Sequence, residues 1–146
     1  MKTRIKQYFF MTLLLGLAAC GKKVDRSATG DKDLQLQVSQ IIDNSSESEI
    51  SLKVRIIPSA KMLASLAKED NIKLQFDMDS CFYELNKKKA KYPAMVQNIN
   101  NGQKGNYEYL VAFEPDKNTG DSLSFFYKDR FLNKKLYSVK IPLHSN

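Results

Sequence analysis

The sequence predicts a small all-β domain, a sandwich of about seven or eight antiparallel strands in two sheets with one short helix. Three observations indicate this fold. Apolar and polar residues alternate along several short segments, polar turn clusters separate these segments, and a chain of 146 residues suits one domain. A composition of 42% hydrophobic and 27% charged residues is typical of a folded globular chain.

The first two strands are predicted to form a hairpin. Apolar residues occupy every second position from Leu34 to Val38, and the same alternation runs from Ile50 to Ile56. The polar cluster at 44–48 between them is typical of a turn. Because side chains alternate across a strand, one face of this hairpin is predicted to be buried.

The middle of the chain is predicted to contain the helix and then a return to strands. Apolar residues share one helical face over Ser59–Glu69, and Ser59 is a suitable N-cap. The alternation from Ile72 to Met78 predicts a third strand, which Cys81–Leu85 continues after a bend.

Four further strands are predicted in the second half of the chain, over segments 92–99, 107–113, 123–127 and 137–143. Both faces of segment 107–113 are apolar, so we expect this strand to lie centrally or to meet a covering group on its outer face. The polar stretches at 100–105 and 115–121 are predicted to be a loop and a turn.

Residues 1–19 have the organisation of a secretory signal peptide. Three basic residues precede an apolar stretch that ends in small residues directly before Cys20. The stretch is shorter than the roughly 20 residues that a membrane-spanning helix needs. Cleavage is expected between Ala19 and Cys20, and it lowers the formal net charge from +7 to +4.

The tetrapeptide Leu17-Ala18-Ala19-Cys20 resembles the lipobox of bacterial lipoproteins, in which a Leu and two small residues precede a modified Cys. The resemblance implies a diacylglycerol on the Cys20 thiol and an acyl chain such as palmitate on the new amino group. Each buried CH₂ contributes about 0.8 kcal/mol, so these chains hold the protein firmly on a bilayer.

The residues after Cys20 bear on location. Lipoprotein sorting rules associate Asp at position 21 with inner-membrane retention and an acidic cluster with export to the cell surface, whereas this chain has Gly21 followed by Lys22 and Lys23. The resemblance therefore implies a bacterial cell envelope protein that is lipid-anchored in the outer membrane and faces the periplasm.

The mature chain is predicted to have two parts: lipidated Cys20 with a flexible tether over residues 20–33, and a β-sandwich domain over residues 34–146. Segment 21–33 mixes acids and bases and lacks hydrophobic periodicity. Lipidation of Cys20 leaves Cys81 without a partner in the chain, so Cys81 is expected to be buried or to pair with another molecule.

The final strands resemble those of immunoglobulin-like bacterial lipoprotein domains. The resemblance is carried by Tyr109–Pro115 (YLVAFEP), Leu123–Tyr127 (LSFFY) and Val139–Leu143 (VKIPL), and with Asn101-Gly102 it covers about 40 residues. It implies an immunoglobulin-like arrangement of the sandwich.

No combination of residues indicates catalysis, so we expect a protein that is not an enzyme and uses no cofactor or metal ion. The single His, His144, lies near the C-terminus, where a catalytic base lacks fixed geometry. Asp77 and Asp79 are predicted to form a solvated strand surface, and loop 116–121 lacks the bidentate Glu of a calcium loop.

Two groups of residues are candidates for partner binding. The apolar group comprises Tyr83, Tyr92, Leu110 and Phe126. Aromatic residues are enriched at interfaces, although core positions explain this group equally well. The basic group comprises Lys87, Lys88 and Lys89, which either meet anionic lipid or an acidic partner or form a solvated hairpin tip.

These features predict a non-enzymatic, membrane-anchored lipoprotein whose sandwich binds a protein partner in the cell envelope. Its organisation resembles that of small lipoprotein subunits of envelope-spanning machines, such as type VI secretion membrane complexes. The alternatives are a ligand- or ion-binding lipoprotein and an inhibitor of an envelope enzyme. Nucleic acid is not an expected partner, because much of the positive charge belongs to the leader.

Overall fold

The structure of the protein, a computed structural model, describes residues 26–42, 49–100, 105–116 and 120–144. The predicted leader, Cys20 and the start of the predicted tether lie outside the described residues. So do the predicted turn at 44–48, most of the predicted loop at 100–105, and the centre of the predicted turn at 115–121.

The described residues form nine strands and two short helices. The strands are β1 (Arg26–Gly30), β2 (Leu34–Ile41), β3 (Ile50–Pro58), β4 (Phe82–Asn86), β5 (Lys89–Lys91), β6 (Met95–Asn98), β7 (Tyr107–Phe113), β8 (Ser122–Lys128) and β9 (Leu136–Pro142). The helices, α1 (Ala60–Ser65) and α2 (Lys68–Phe76), follow β3.

The strands build two antiparallel sheets. The five-stranded sheet has the order β1-β2-β3-β7-β6, and the four-stranded sheet has the order β5-β4-β8-β9. In an immunoglobulin-type sandwich, strands A, B, E and D form one sheet and C, F and G the other. Strands β2, β3, β7 and β6 match the first set, and β4, β8 and β9 match the second. The predicted all-β sandwich is therefore confirmed, its strand order is that of an immunoglobulin-type sandwich, and β1 and β5 are additional edge strands.

Strict alternation directs one face of each sheet into the core. In β3 every second residue from Ile50 to Pro58 is buried. The centre of the core is aromatic, because the Phe82 ring lies 5.4 Å from Tyr109, 5.8 Å from Phe125 and 5.4 Å from Tyr127, between ring centroids. Such ring pairs add to the free energy of simple area burial.

Strand β7 is buried on both faces, as its apolar pattern predicts. It lies between β3 and β6, and its outward residues Glu108 and Ala112 are buried as well. The strand is internal to its sheet, as one predicted alternative required. Its outer face also meets a covering group, because Lys53 and Arg55 of β3 form ion pairs with Glu108.

The strand predicted over Ile72–Met78 is wrong, since this segment belongs largely to α2. Residues four apart share a face in both a strand and a helix, so the same alternation fits either structure. In the helix Leu74 is buried and Met78 just beyond it is also buried, whereas Ile72 and Phe76 are exposed. Lys73 and Glu69 lie four residues apart, and their ion pair of 2.7 Å stabilises this helical turn of α2.

The single predicted helix over Ser59–Glu69 is two helices, because Leu66 and Ala67 adopt an extended backbone between them. Ser59 is the N-cap, as predicted, and its hydroxyl accepts the Met62 N–H at 3.3 Å. The helices pack against the core through Leu63, Leu66 and Leu74.

The interpretation of residues 20–33 as an unstructured tether is wrong for Arg26–Gly30, which pair with β2 along their whole length. Strand β1 lacks apolar alternation because it is an edge strand held by backbone hydrogen bonds. The Asp31 carboxylate accepts the N–H of Asp33 at 2.8 Å and of Leu34 at 3.1 Å, which fixes the turn into β2. Gly30 suits this turn because a Cβ there would lie 2.5 Å from the Leu34 carbonyl oxygen.

Candidate functional site

Three of the four apolar candidates come together on the outer face of the four-stranded sheet. Phe126 and Tyr83 are cross-strand partners, and their rings stack with centroids 5.1 Å apart and planes 6° apart. The Tyr92 ring lies 6.0 Å from Tyr83 at 51°. Their neighbours Phe82 and Phe125 point into the core, so Tyr83 and Phe126 must point away from it. We call Tyr83, Tyr92 and Phe126 the aromatic patch.

Two exposed leucines extend the aromatic patch along the same face. Leu85 lies two residues after Tyr83 in β4, and Leu136 in β9 is the partner of Lys128. Tyr92 is 57% exposed and Leu136 is 56% exposed, which is high for large apolar side chains on a sheet. Neither leucine is among the partner-binding candidates that the sequence predicts. Each directly neighbours an inward residue of an alternating strand, and this position indicates an outward apolar side chain.

Leu110 does not belong to the aromatic patch. It lies in β7, where it pairs with Lys53 of β3 and Gln97 of β6, so it is on the outer face of the five-stranded sheet. Its side chain is half-buried. The four apolar candidates therefore lie on two different sheets, which periodicity within one strand does not reveal.

The basic candidates form the tip of the hairpin between β4 and β5. Asn86 pairs with Lys89, which leaves Lys87 and Lys88 as a two-residue turn with φ values of 47° and 69°. Positive φ at both positions is the geometry of a type I′ turn, which normally carries Asn-Gly. The three lysines are exposed. Leu85 precedes this tip in the sequence, and Tyr92 follows it. The tip therefore places positive charge beside the aromatic patch.

The rest of this face is also free of acids within the described strands. The outward residues of β8 and β9 are serines and apolar residues apart from Lys128 and Lys140. The face is therefore an apolar centre bordered by cations. A sheet face of this kind combines area burial with charge selection when a second surface docks.

A second concentration of charge lies on the outer face of the five-stranded sheet. The Glu108 carboxylate is 2% exposed and contacts the Lys53 ammonium at 3.0 Å and the Arg55 Nε at 2.6 Å. Burial raises the pKa of Glu108, but the hydrogen bonds from Lys53 and Arg55 outweigh it and hold the pKa below its usual value. A half-open groove of about 340 Å³ lies beside these residues and extends to Arg26.

Two buried groups have structural roles. Cys81 is fully buried, which is one of the two alternatives predicted for it. Burial raises the pKa of its thiol to about 11. The buried Asp129 carboxylate accepts the Tyr127 hydroxyl at 2.7 Å and the Lys134 N–H at 2.8 Å. Desolvation, reinforced by Asp129, raises the pKa of Tyr127 well above its ordinary value. This network fixes the loop between β8 and β9.

The remaining titratable candidates do not assemble into a catalytic site in the described residues. His144 lies beyond β9, where its backbone N–H donates to the Gln40 side chain at 2.9 Å. Asp77 and Asp79 are solvated, as predicted, but they follow α2 rather than lying on a strand. Within the described ranges no three His, Cys, Asp or Glu residues lie close enough to hold a metal ion.

The described residues define a small all-β sandwich domain with two distinct outer faces. No protein-family model, curated protein or solved structure matches this chain. In the described residues, neither helix has the length and apolar character needed to cross a membrane.

Proposed function

We propose that this protein is a lipid-anchored binding domain of the bacterial cell envelope. The lipobox at Cys20 supplies the anchor, and the aromatic patch binds a protein partner with an apolar centre and an acidic rim. The single observation that carries the binding role is the outward-facing, half-buried stack of Tyr83 on Phe126, extended by the exposed Tyr92, on a sheet face bordered by lysines.

The composition of this face supports a protein partner. Single exposed apolar residues are ordinary, but three rings in mutual contact, with two exposed leucines on the same sheet face, are typical of interaction surfaces. Aromatic side chains bury a large area and lose little conformational entropy on binding.

The surrounding charges support an acidic rim on that partner. Lys87 and Lys88 at the hairpin tip and Lys128 and Lys140 on the sheet present cations around the rings. Opposite charges steer the encounter of two proteins and exclude partners of the wrong charge.

The position of β1 shortens the connection between membrane and domain. Because β1 begins at Arg26, only residues 21–25 separate it from Cys20. An extended chain spans at most about 3.6 Å per residue, so Cys20 lies no more than about 22 Å from Arg26. A lipidated Cys20 therefore keeps the sandwich close to the bilayer, where it meets envelope partners.

Site-specific photo-cross-linking in the native envelope tests the binding role. A photoreactive residue at position 92 lies in the aromatic patch, and one at the exposed Gln97 lies on the other sheet as a matched control. We expect one adduct of defined mass at position 92 and none at position 97. Replacement of Lys87 and Lys88 by Glu is expected to reduce the yield of that adduct.

Two results would contradict the binding role of the aromatic patch. One is the absence of an adduct at position 92, and the other is an adduct pattern that is the same at positions 92 and 97. A yield that does not respond to charge reversal at the hairpin tip contradicts the acidic rim.

A further inference from the structure

We propose that the groove on the outer face of the five-stranded sheet binds a doubly charged oxyanion, a phosphate monoester, between Arg26 of β1 and Lys53 and Arg55 of β3. This site lies on the opposite sheet from the aromatic patch and is independent of the partner proposed above.

The register brings these cations together from distant parts of the sequence. Arg26 pairs with Ser39, and Ser39 pairs with Lys53, so these three outward residues form one row across three strands. Gln37 and Arg55 form the next row. Neighbouring strands lie about 4.8 Å apart, so the backbones that carry Arg26 and Lys53 are about 10 Å apart. The polar side chains of Ser39 and Gln37 lie between them and line the groove.

The charge of the groove matches a dianion. Glu108 is the one acid at the outward positions of the described strands of this sheet, against three cations around the groove. Among the described residues Arg26 forms no ion pair. The surplus of two positive charges balances the two negative charges of a phosphate monoester near neutral pH.

Glu108 acts as a positioning residue for the two cations of β3. Its carboxylate accepts from the Arg55 Nε and contacts the Arg55 Nη2, which leaves the Nη1 donors for another acceptor. A guanidinium held at one edge is pre-organised for a second oxyanion, because its rotamer is already fixed. The Lys53 ammonium, 3.0 Å from the same carboxylate, is held beside it.

A phosphate monoester reaches this groove from one of two sources, a soluble phosphate ester or the head group of a lipid in the membrane. The intact lipidated protein in nanodiscs distinguishes them. Side-chain Nε and backbone resonances of β1–β3 are recorded in phosphatidylcholine nanodiscs, with inorganic phosphate as the probe and chloride at equal ionic strength as the reference. The recording is then repeated in nanodiscs that contain phosphatidic acid.

We expect a saturable shift of the Arg26 and Arg55 resonances. If the soluble ester is the source, inorganic phosphate produces this shift in either nanodisc. If the lipid is the source, phosphatidic acid produces it and added phosphate then has no further effect. Both results support the oxyanion site.

Variants on two strands separate a built site from diffuse charge. Arg26→Gln and Lys53→Gln each remove one contact and leave Arg55 to neutralise Glu108, so each is expected to weaken binding about tenfold. Lys128→Gln removes the same charge from the other sheet and is expected to leave binding unchanged. The proposal is overturned if neither probe shifts these resonances, or if Lys128→Gln weakens binding as much as Arg26→Gln.

Discussion

Tyr83 and Phe126 stack nearly parallel on the outside of the four-stranded sheet, with ring centroids 5.1 Å apart. The two residues are direct cross-strand partners on β4 and β8, so the sheet itself sets their separation. Both rings are half-buried in the free protein, and a docked partner removes water from the parts of them that remain exposed. Stability and binding are therefore expected to respond differently to substitutions in this patch.

Tyr92→Ala is expected to separate the two effects. Tyr92 is 57% exposed, so its removal should change the free energy of unfolding by less than about 1 kcal/mol. Partner binding should weaken at least about tenfold, as for an aromatic interface anchor. Urea unfolding and quantitative co-purification measure the two effects. Phe76→Ala, at an exposed ring on α2, is the matched control and should leave both unchanged. Equal loss of binding in the two variants would contradict the assignment of the patch.

The hairpin tip offers a gain of stability. Lys87 and Lys88 both have positive φ, a conformation that Asn and Gly adopt at lower cost. Lys87→Asn with Lys88→Gly is expected to raise the free energy of unfolding by about 1 kcal/mol. The double variant to Ala removes the same charges without favouring positive φ, and it should give no gain. If the Ala variant is as stable as the Asn-Gly variant, then charge repulsion and not backbone strain limits the tip.

Acid should weaken the link between β1 and the loop before β9. The hydrogen bond from Lys135 to Asp31, helped by the N–H groups of Asp33 and Leu34, lowers the Asp31 pKa from 3.8 to about 2. A lowered pKa means that this stabilisation is complete above the unfolded-state pKa and is lost as the pH falls toward about 2.

The Asp31→Asn variant isolates this contribution. The difference in urea midpoint between the native protein and the variant is expected to be constant above pH 4 and to shrink between pH 4 and 2. A difference that does not change over this range would show that the Asp31 carboxylate has the same pKa in both states.

The aromatic core should dominate stability. Phe82 is fully buried among Tyr109, Phe125 and Tyr127, so Phe82→Ala is expected to lower the free energy of unfolding by about 3–5 kcal/mol. Phe76→Ala removes a ring that is 77% exposed and is expected to cost less than about 0.5 kcal/mol. Urea unfolding measures the loss of stability in each variant, provided that the m-value stays unchanged. Similar losses in the two variants would place Phe82 outside a packed core.

Strands that bury one face were predictable from the sequence, because Ile50–Ile56 and Leu34–Val38 repeat the two-residue period of a sheet. Two elements were not. Strand β1 has no apolar residue larger than Ala and is held by backbone pairing and by the turn at Asp31, which leave no periodic signal. Segment 72–78 alternates like a strand, and the helix is favoured by the local ion pair between Lys73 and Glu69 together with the burial of Leu74 and Met78.

The candidate site was partly predictable for a related reason. The sequence predicts Tyr83 and Phe126 as candidates for either a partner surface or the core, and their outward stacking depends on which strands pair. The separation of Leu110 from them and the meeting of Arg26, Lys53 and Arg55 depend on sheet order as well. Sheet order is fixed by contacts between distant segments, which one sequence does not display.

The intact mass of the protein from its native host, measured after alkylation in denaturant, tests the central claim of a lipid-anchored domain most directly. The account predicts a chain of residues 20–146 that carries a diacylglyceryl group and an acyl chain on Cys20, and one alkylated thiol, Cys81. A chain that retains residues 1–19, or one with two alkylated thiols and no lipid mass, would contradict it.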